Sequence, residues 1–229
     1  MASIKQLRAR WTNSLVAEVS SILFASPRVT GDLKSVVGVV SIDGIEYLDL
    51  RGFPLSQRFK DTAFDHVDLS HCRLSHPAGF SRVSISSCRF NAWKYVGSIS
   101  GTFTDCSFDD SAFSEIIGWP DSKFVRCSFV DVCFRRGKFD GSQFDSCSFR
   151  SCNITGTGFV DCQFIGCDFT EAIITEASIG DCTLSKLLNN FLYVNPYNVQ
   201  EHLSFTANPN YPTVDLGETT VLSTTFKAD

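Results

Sequence analysis

The strongest constraint on the fold of this chain is a large apolar residue at every fifth position, repeated thirteen times without a break. The thirteen are Phe124, Phe129, Phe134, Phe139, Phe144, Phe149, Ile154, Phe159, Phe164, Phe169, Ile174, Ile179 and Leu184. A helix would spread such a repeat around its whole surface, and a strand would send successive members to opposite faces. A chain that turns a corner every five residues instead points each of them at a common axis.

A second position in each five-residue unit, two residues before the large one, is usually small. This alternation of large and small side chains is typical of a tightly wound interior. Upstream the same register recurs with slips, and its central residues there are Phe59, Phe64, Leu69, Leu74, Phe80, Ile85, Phe90, Phe103, Phe108 and Phe113. The slips predict two insertions that leave the register, residues 91–102 and 114–123.

Units such as 127–131 (Cys-Ser-Phe-Val-Asp), 147–151 and 167–171 resemble those of the pentapeptide-repeat family. The resemblance covers roughly residues 45–185. It implies an all-β solenoid, a right-handed quadrilateral β-helix with four pentapeptides in each coil. At a ladder spacing of about 4.8 Å, about six coils would form a rod roughly 30 Å long.

The two ends of such a solenoid expose core and strand edges and need caps. Residues 1–44 are expected to form an N-terminal cap, an amphipathic α-helix followed by strands around Asp43-Gly44. Residues 45–185 are the predicted β-helix, and residues 186–229 a C-terminal cap or tail.

The chain has 10 cysteines, and all except Cys133 occupy the small inward position. With twenty residues in each coil, Cys127, Cys147 and Cys167 fall in one column. Parallel side chains make the disulfide dihedral hard to reach, so we expect reduced thiols that pack as small core residues. Reduced thiols in turn favour a cytoplasmic protein.

No catalytic residue, metal site or cofactor is expected, because a filled solenoid leaves no cleft for one. His66, His71 and His76 are five residues apart and lie on successive corners, which face different directions. The sequence therefore predicts that the protein is not an enzyme. An active site in the terminal segments is the remaining alternative. No apolar run is long enough to span a membrane.

Charge is distributed unevenly around a formal net charge of -5. Residues 1–58 carry seven Lys and Arg against five Asp and Glu, whereas residues 139–185 carry seven acidic residues against Arg150 alone. Direct nucleic-acid binding needs a basic surface and is not expected at the acidic end.

The acidic residues form the first candidate binding surface. In a twenty-residue frame Asp121, Asp161 and Asp181 fall in one corner column. Asp140 lies beside that column, and Asp145 lies one face onward. Such a column could contact a partner, or it could be the ordinary polar exterior of a solenoid.

Three aromatic residues in the predicted insertions form the second candidate surface: Trp93, Tyr95 and Trp119. Aromatic side chains on loops of a rigid scaffold often anchor a partner. The alternative is that they fold back to cover a coil edge.

Two functions follow from these features. The first is a non-catalytic scaffold that binds another protein through its outer faces and loops. The second comes from the resemblance, since one branch of the family protects DNA gyrase or topoisomerase IV from fluoroquinolones or other poisons as an acidic mimic of duplex DNA. That branch commonly dimerises through its C-terminal end, where the candidate contact residues here are Leu187, Leu188, Phe191 and Leu192.

Overall fold

The five-residue register folds into short strands, each centred on its large apolar residue. In Lys123–Val125, Cys133–Arg135 and Gln143–Asp145 the central Phe is buried and the residue before or after it is exposed. Two residues after each centre the backbone takes a positive φ, for example 51° at Arg126 and 57° at Asp131. This left-handed residue turns the chain through a corner, and the next strand then begins on a new face.

The computed structural model describes residues 3–25, 28, 33–75, 78–115, 119–175, 177–185, 193–194 and 202–204. The helices are α1 (Ile4–Ala9), α2 (Asn13–Ala25) and α3 (Lys34–Val37). The strands are β1 (Val39–Ile42), β2 (Ile45–Asp49), β3 (Pro54–Leu55), β4 (Arg58–Lys60), β5 (Ala63–Asp65), β6 (Val67–Asp68), β7 (Arg73–Leu74), β8 (Gly79–Ser86), β9 (Lys94–Tyr95), β10 (Ile99–Thr104), β11 (Ala112–Ser114), β12 (Lys123–Val125), β13 (Cys133–Arg135), β14 (Gln143–Asp145), β15 (Asn153–Thr155), β16 (Gly158–Val160), β17 (Gln163–Ile165), β18 (Ile173–Thr175), β19 (Ser178–Ser185), β20 (Tyr193–Val194) and β21 (His202–Ser204).

Within the solenoid the strands pair in parallel with strands one coil further along the chain. Phe124 lies opposite Phe144, which lies opposite Phe164, so the repeat of the coil is twenty residues. A sheet that includes β8, β10, β12, β14, β17 and β19 covers two faces, and the sheet from β9 to β20 covers another. The protein is therefore a β-solenoid of about six turns, which confirms the fold predicted from the register.

The core consists of columns of stacked aromatic rings along the solenoid axis. The Phe129 and Phe149 ring centroids lie 5.0 Å apart with planes 8° from parallel, and those of Phe149 and Phe169 lie 4.8 Å apart at 6°. Rings from adjacent faces meet edge to face, as Phe144 and Phe149 do at 5.3 Å. Both arrangements are favourable for aromatic quadrupoles, and together they fill the interior.

The two predicted insertions are much smaller than expected. Tyr95 occupies a central position and pairs with Phe113 on the next coil. The Trp119 backbone N–H donates to the Lys138 carbonyl at 2.9 Å, which places Trp119 one coil before Phe139. The expectation of two long excursions is therefore wrong, because Tyr and Trp occupy central positions that the sequence pattern assigned to Phe and aliphatic residues. The slips are steps of four or six residues between centres.

The small inward position has a hydrogen-bonding role in addition to its size. The Cys127 thiol donates to the Phe103 carbonyl at 3.4 Å, and the Ser111 hydroxyl donates to the Phe90 carbonyl at 3.1 Å. These bonds reach the central residue of the preceding coil, so a small side chain with a donor fits the position. This explains why both Cys and Ser occur there.

All ten cysteines are free, and all except Cys133 are buried. The main thiol column is longer than predicted, because the register slips bring Cys88 and Cys106 into line with Cys127, Cys147 and Cys167. Burial raises the pKa of Cys152 to about 12, so this thiol stays protonated at neutral pH.

The N-terminal cap contains two helices, α1 and α2, where one amphipathic helix was predicted. The chain leaves helical geometry between them because Arg10 and Trp11 bond to the first coil instead. The Arg10 guanidinium donates to the Asp49 carbonyl at 2.7 Å, and the Trp11 indole N–H donates to the Arg51 carbonyl at 2.9 Å.

The cap covers the open end of the core through apolar contacts. Val19 and Leu23 of α2 are buried, and Phe24 stacks on Phe59 with centroids 4.7 Å apart. The predicted strands β1 and β2 form a hairpin whose turn residues Asp43 and Gly44 have φ of 51° and 81°. Both positive values fit the two-residue turn favoured in hairpins.

Strand pairing continues beyond the predicted boundary at residue 185. Tyr193 pairs with Ile173, and β21 pairs with β19. The candidate dimer-contact residues Leu187, Leu188, Phe191 and Leu192 lie outside the described residues. No helix among the described residues is long and apolar enough to cross a membrane.

We expect Asp49→Asn to destabilise the protein by about 3 kcal/mol at neutral pH, because Arg10 and Arg51 would lose a buried counterion. Burial pushes the pKa of Asp49 up, but hydrogen bonds from Arg51 and Arg10 outweigh it and hold the pKa at about 2, below the ordinary 3.8. The stabilisation is therefore complete above about pH 4 and disappears as the pH falls through 2. Denaturant unfolding of both proteins at several pH values measures this difference.

The matched control is Asp61→Asn, which removes a carboxylate from an exposed pair with Arg82. We expect a smaller loss of stability from it than from Asp49→Asn. Equal losses at pH 7, or a loss for Asp49→Asn that persists undiminished at pH 2, would contradict the role given to Asp49.

Candidate functional site: the acidic corner columns

The outward corner residues of the solenoid form four columns, one on each corner of the coil. Column A contains Asp61, Arg82, Gly101, Asp121, Gly141 and Asp161. Column B contains His66, Ser87, Asp105, Arg126, Ser146 and Gly166. Column C contains Gly52, His71, Ala92, Asp110, Asp131, Ser151 and Glu171. Column D contains Gly97, Glu115, Arg136 and Gly156.

The backbone conformation explains why so many corner residues are Asp or Gly. Every residue in the four columns has a positive φ. Most side chains adopt this conformation at a cost, whereas Gly adopts it freely and Asp is enriched there because it bonds to the nearby backbone. The corner geometry therefore favours Asp before any partner is considered, and the surroundings of each carboxylate decide whether its charge is available.

Ion pairs neutralise columns B and D. The Arg126 guanidinium binds the Asp105 carboxylate at 2.7 Å, and Arg136 binds Glu115 at 3.0 Å. The hydrogen bonds from Arg126 are the main reason that the pKa of Asp105 lies below its ordinary value. At the N-terminal end of column A, Arg82 pairs with Asp61 in the same way at 2.7 Å.

Columns A and C keep unpaired carboxylates in the later coils. No described Lys, Arg or His forms an ion pair with Asp121, Asp161, Asp110, Asp131 or Glu171, and all five side chains are exposed. Two faces separate columns A and C in either direction around a four-sided coil. The unpaired negative charge therefore lies along two opposite corners of the rod.

The predicted acidic column corresponds to column A. Asp121 and Asp161 lie on it, and Gly141 between them leaves room for the Asp121 carboxylate, since a Cβ at Gly141 would lie 2.6 Å from Asp121 Oδ1. Asp140 is exposed beside the column. The strand register places Asp181 one coil beyond Asp161 in the same column.

Asp145 does not belong to either acidic column. It is half-buried on the face between columns A and B, and its carboxylate accepts a hydrogen bond from the Ser146 hydroxyl at 2.8 Å. The sequence placed it correctly one face onward from column A. Its burial makes it a weaker contact residue than Asp121 or Asp161.

Column C is the acidic surface that the sequence pattern missed. Asp131 and Glu171 are forty residues apart, so counting by twenty would have aligned them. Asp110 is 21 residues before Asp131, because the step from Phe113 to Trp119 has six residues instead of five. The neighbouring Asp109 is half-buried and therefore less accessible to a partner than Asp110. Its carboxylate accepts hydrogen bonds from the Ser107 hydroxyl at 2.7 Å and the Val130 backbone N–H at 2.9 Å.

The three aromatic candidates are buried, so the expectation that they anchor a partner is wrong. Trp93, Tyr95 and Trp119 are 0%, 2% and 0% exposed. The Trp93 indole donates to the Leu69 carbonyl at 2.7 Å, and the Tyr95 hydroxyl donates to the Ser98 carbonyl at 3.0 Å. The structure agrees with the alternative, in which these side chains fold back onto the solenoid.

The histidines do not converge. His66 lies on column B and contacts Asp65 at 3.0 Å, whereas His71 lies on column C. His76 lies outside the described residues. Within the described part of the chain, no three His, Cys, Asp or Glu side chains are grouped so that they could hold a metal ion.

Comparison with known families identifies the repeat. Residues 139–183 match the family model described as pentapeptide repeats, with 9 copies. No curated protein matched the sequence. Two solved structures illustrate the similarity at low sequence identity.

HetL, a pentapeptide repeat protein involved in heterocyst differentiation regulation from the cyanobacterium Nostoc sp. strain PCC 7120, is 13% identical to this chain, with a TM-score of 0.27. The match covers 59% of this chain and 62% of HetL, less than two thirds of the length of that protein. Full-length QnrB1, a plasmid-mediated fluoroquinolone resistance protein, is 13% identical over 65% of this chain and 90% of its own, with a TM-score of 0.29.

Proposed function

We propose that this protein, a β-helix of pentapeptide repeats, is a non-catalytic scaffold that binds a basic surface of another protein through column C. The observation that carries the proposal is the unequal pairing of the corner charges. Columns B and D neutralise their carboxylates with guanidinium groups of the next coil, whereas column C does not.

Column C is favoured over column A because it lies on a less basic part of the surface. Lys123 and Lys138 lie close to Asp121 and Asp140 in sequence, on either side of column A. Near column C the later coils carry Arg150, which approaches Asp168 at 3.9 Å, and Arg135, which is exposed on the next face. Arg150 is thus partly neutralised, whereas no described carboxylate forms an ion pair with Lys123 or Lys138. A basic partner therefore meets less competing positive charge at column C. Charge complementarity of this kind mainly sets the association rate and the choice of partner.

The interior supports a scaffold role. Stacked Phe rings and the hydrogen-bonded Cys and Ser side chains fill the axis of the rod, and side chains that face inward are not accessible to a substrate. The strands hold the corner residues about 4.8 Å apart along the rod, so column C is pre-organised.

The test is a triple variant, Asp110→Asn, Asp131→Asn and Glu171→Gln. Asn tolerates the left-handed conformation, so two of these changes remove charge without added backbone strain. Affinity capture from the native cell extract would identify proteins retained by the wild type, and titration of the purified partner would give Kd. We expect the triple variant to bind about tenfold or more weakly, and binding to weaken as salt increases.

Asp43→Asn is the matched control, because Asp43 is also exposed and left-handed but lies in the β1–β2 turn, outside the four columns. It should bind like the wild type. Equal Kd values for wild type and triple variant, with both proteins folded, would overturn the proposed role of column C.

A second candidate function is protection of a type II topoisomerase, for which columns A and C would imitate the two phosphate tracks of a DNA duplex. Their position on opposite corners of a narrow rod favours it. The charge of one coil argues against DNA mimicry, because residues 119–138 carry five Lys and Arg but only two Asp. A gyrase supercoiling assay with a fluoroquinolone should show restored activity if this candidate is correct. No restoration at molar excess of the protein would remove it.

A further inference from the structure

The N-terminal cap and the start of the solenoid border an open cleft with an unusual lining. Its volume is about 490 Å³, and it is lined by Ile4, Lys5, Arg8 and Ala9 of α1 together with Arg73 of β7. Three of these five side chains are cationic. The cleft lies at the opposite end of the chain from the most acidic coils.

The three cations of the cleft have no counterion of their own. Among the described residues no carboxylate forms an ion pair with Lys5, Arg8 or Arg73. In the same cap, Arg10 is neutralised by Asp49 at 2.8 Å. Lys5 and Arg8 are three residues apart on one helix, where like charges are mildly destabilising. A bound anion would relieve this repulsion.

Arg8 is held against the solenoid. Its guanidinium donates to the His71 carbonyl at 3.4 Å, and its Nε is buried without an acceptor. The approach of α1 to the first coil depends on Gly52, where φ is 75° and an added Cβ would lie 3.3 Å from Arg8 Cγ.

We propose that this cleft binds a small phosphorylated molecule through Lys5, Arg8 and Arg73. Guanidinium groups match the oxygens of a phosphate in a two-bond geometry, and Lys adds a point charge. Three positive charges suit a ligand with more than one negative charge better than a single carboxylate. The volume lies within the range of small-molecule sites, and the exposed Ile4 provides an apolar wall for the rest of the ligand.

Calorimetric titration of the intact protein with inorganic pyrophosphate at low ionic strength tests this proposal. The net charge of -5 repels anions in general, so binding requires a local site. Arg73→Gln and Lys5→Gln should each weaken binding about tenfold. Arg126→Gln removes one positive charge from column B and should leave the affinity unchanged. Arg8→Gln should abolish binding, and circular dichroism would show that the cap remains folded.

Four outcomes would overturn the proposal. The first is no binding at millimolar pyrophosphate, and the second is equal weakening by Arg126→Gln and Arg73→Gln. The third is binding of citrate as tight as that of pyrophosphate, which would remove the preference for phosphate. The fourth is binding to phosphatidic acid vesicles without binding to pyrophosphate, which would place the phosphate on a lipid surface instead of a small molecule.

Discussion

Gly101→Ala is expected to destabilise this protein by about 4 kcal/mol, because both the backbone and the available space at Gly101 exclude a side chain. Its φ is 143°, and an added Cβ would lie 2.7 Å from the Val83 backbone nitrogen and closer still to the Val83 carbonyl oxygen. Strain in a region that only Gly adopts freely costs about 1–3 kcal/mol. A clash with the backbone of the preceding coil adds about as much, because that strand cannot move without breaking its ladder.

Gly44→Ala is the matched control for Gly101→Ala. Gly44 also has a positive φ, 81°, but nothing lies within 4 Å of its added Cβ. It should therefore lose only about 1 kcal/mol, from left-handed strain alone. Denaturant unfolding of the two variants separates strain from steric contact. Similar losses at both positions would show that β8 and β10 do not approach as closely at Gly101 as described here.

Phe149→Ala should cost about 3–5 kcal/mol through loss of transfer energy and formation of a cavity. Phe149 is 1% exposed and stacks between Phe129 and Phe169 in the middle of the ring column. A cavity there cannot close easily, because the neighbouring rings are fixed by strands on both sides. The free energy of unfolding from equilibrium denaturation measures the loss.

The adjacent residue provides the control for Phe149→Ala. The Arg150 side chain is 56% exposed and lies 3.9 Å from Asp168, so Arg150→Ala should change stability by less than about 0.5 kcal/mol. Comparable losses for the two neighbouring substitutions would contradict the assignment of inward and outward positions.

Part of the candidate site could be read from the sequence, and part could not. Asp121 and Asp161 lie in the unbroken register, so counting by twenty aligns them. Asp110 of column C precedes a six-residue step, and this alignment needs the observed strand pairing. Local sequence also gave no sign that Trp93 would be buried, because nothing near it identifies the Leu69 carbonyl as its acceptor.

The ion pairs between corner residues also could not be predicted from the sequence. Asp61 and Arg82, Asp105 and Arg126, and Glu115 and Arg136 are each 21 residues apart. A fixed frame of twenty would misalign all three pairs by one residue. A six-residue step from Leu74 to Phe80 brings the first pair together, and a six-residue step from Phe113 to Trp119 brings the other two together.

The sequence by itself determined the solenoid, the inward direction of Phe and Cys, and the acidic character of the later coils. These follow from periodicity, since a large residue at every fifth position can be buried on one axis only if the chain turns corners. The tertiary structure alone decided which corner carboxylates are neutralised, which aromatic residues are buried and where the cationic cleft forms. Each of these depends on contacts between residues of different coils or between the cap and the first coil, and a repeat that slips does not encode their alignment locally.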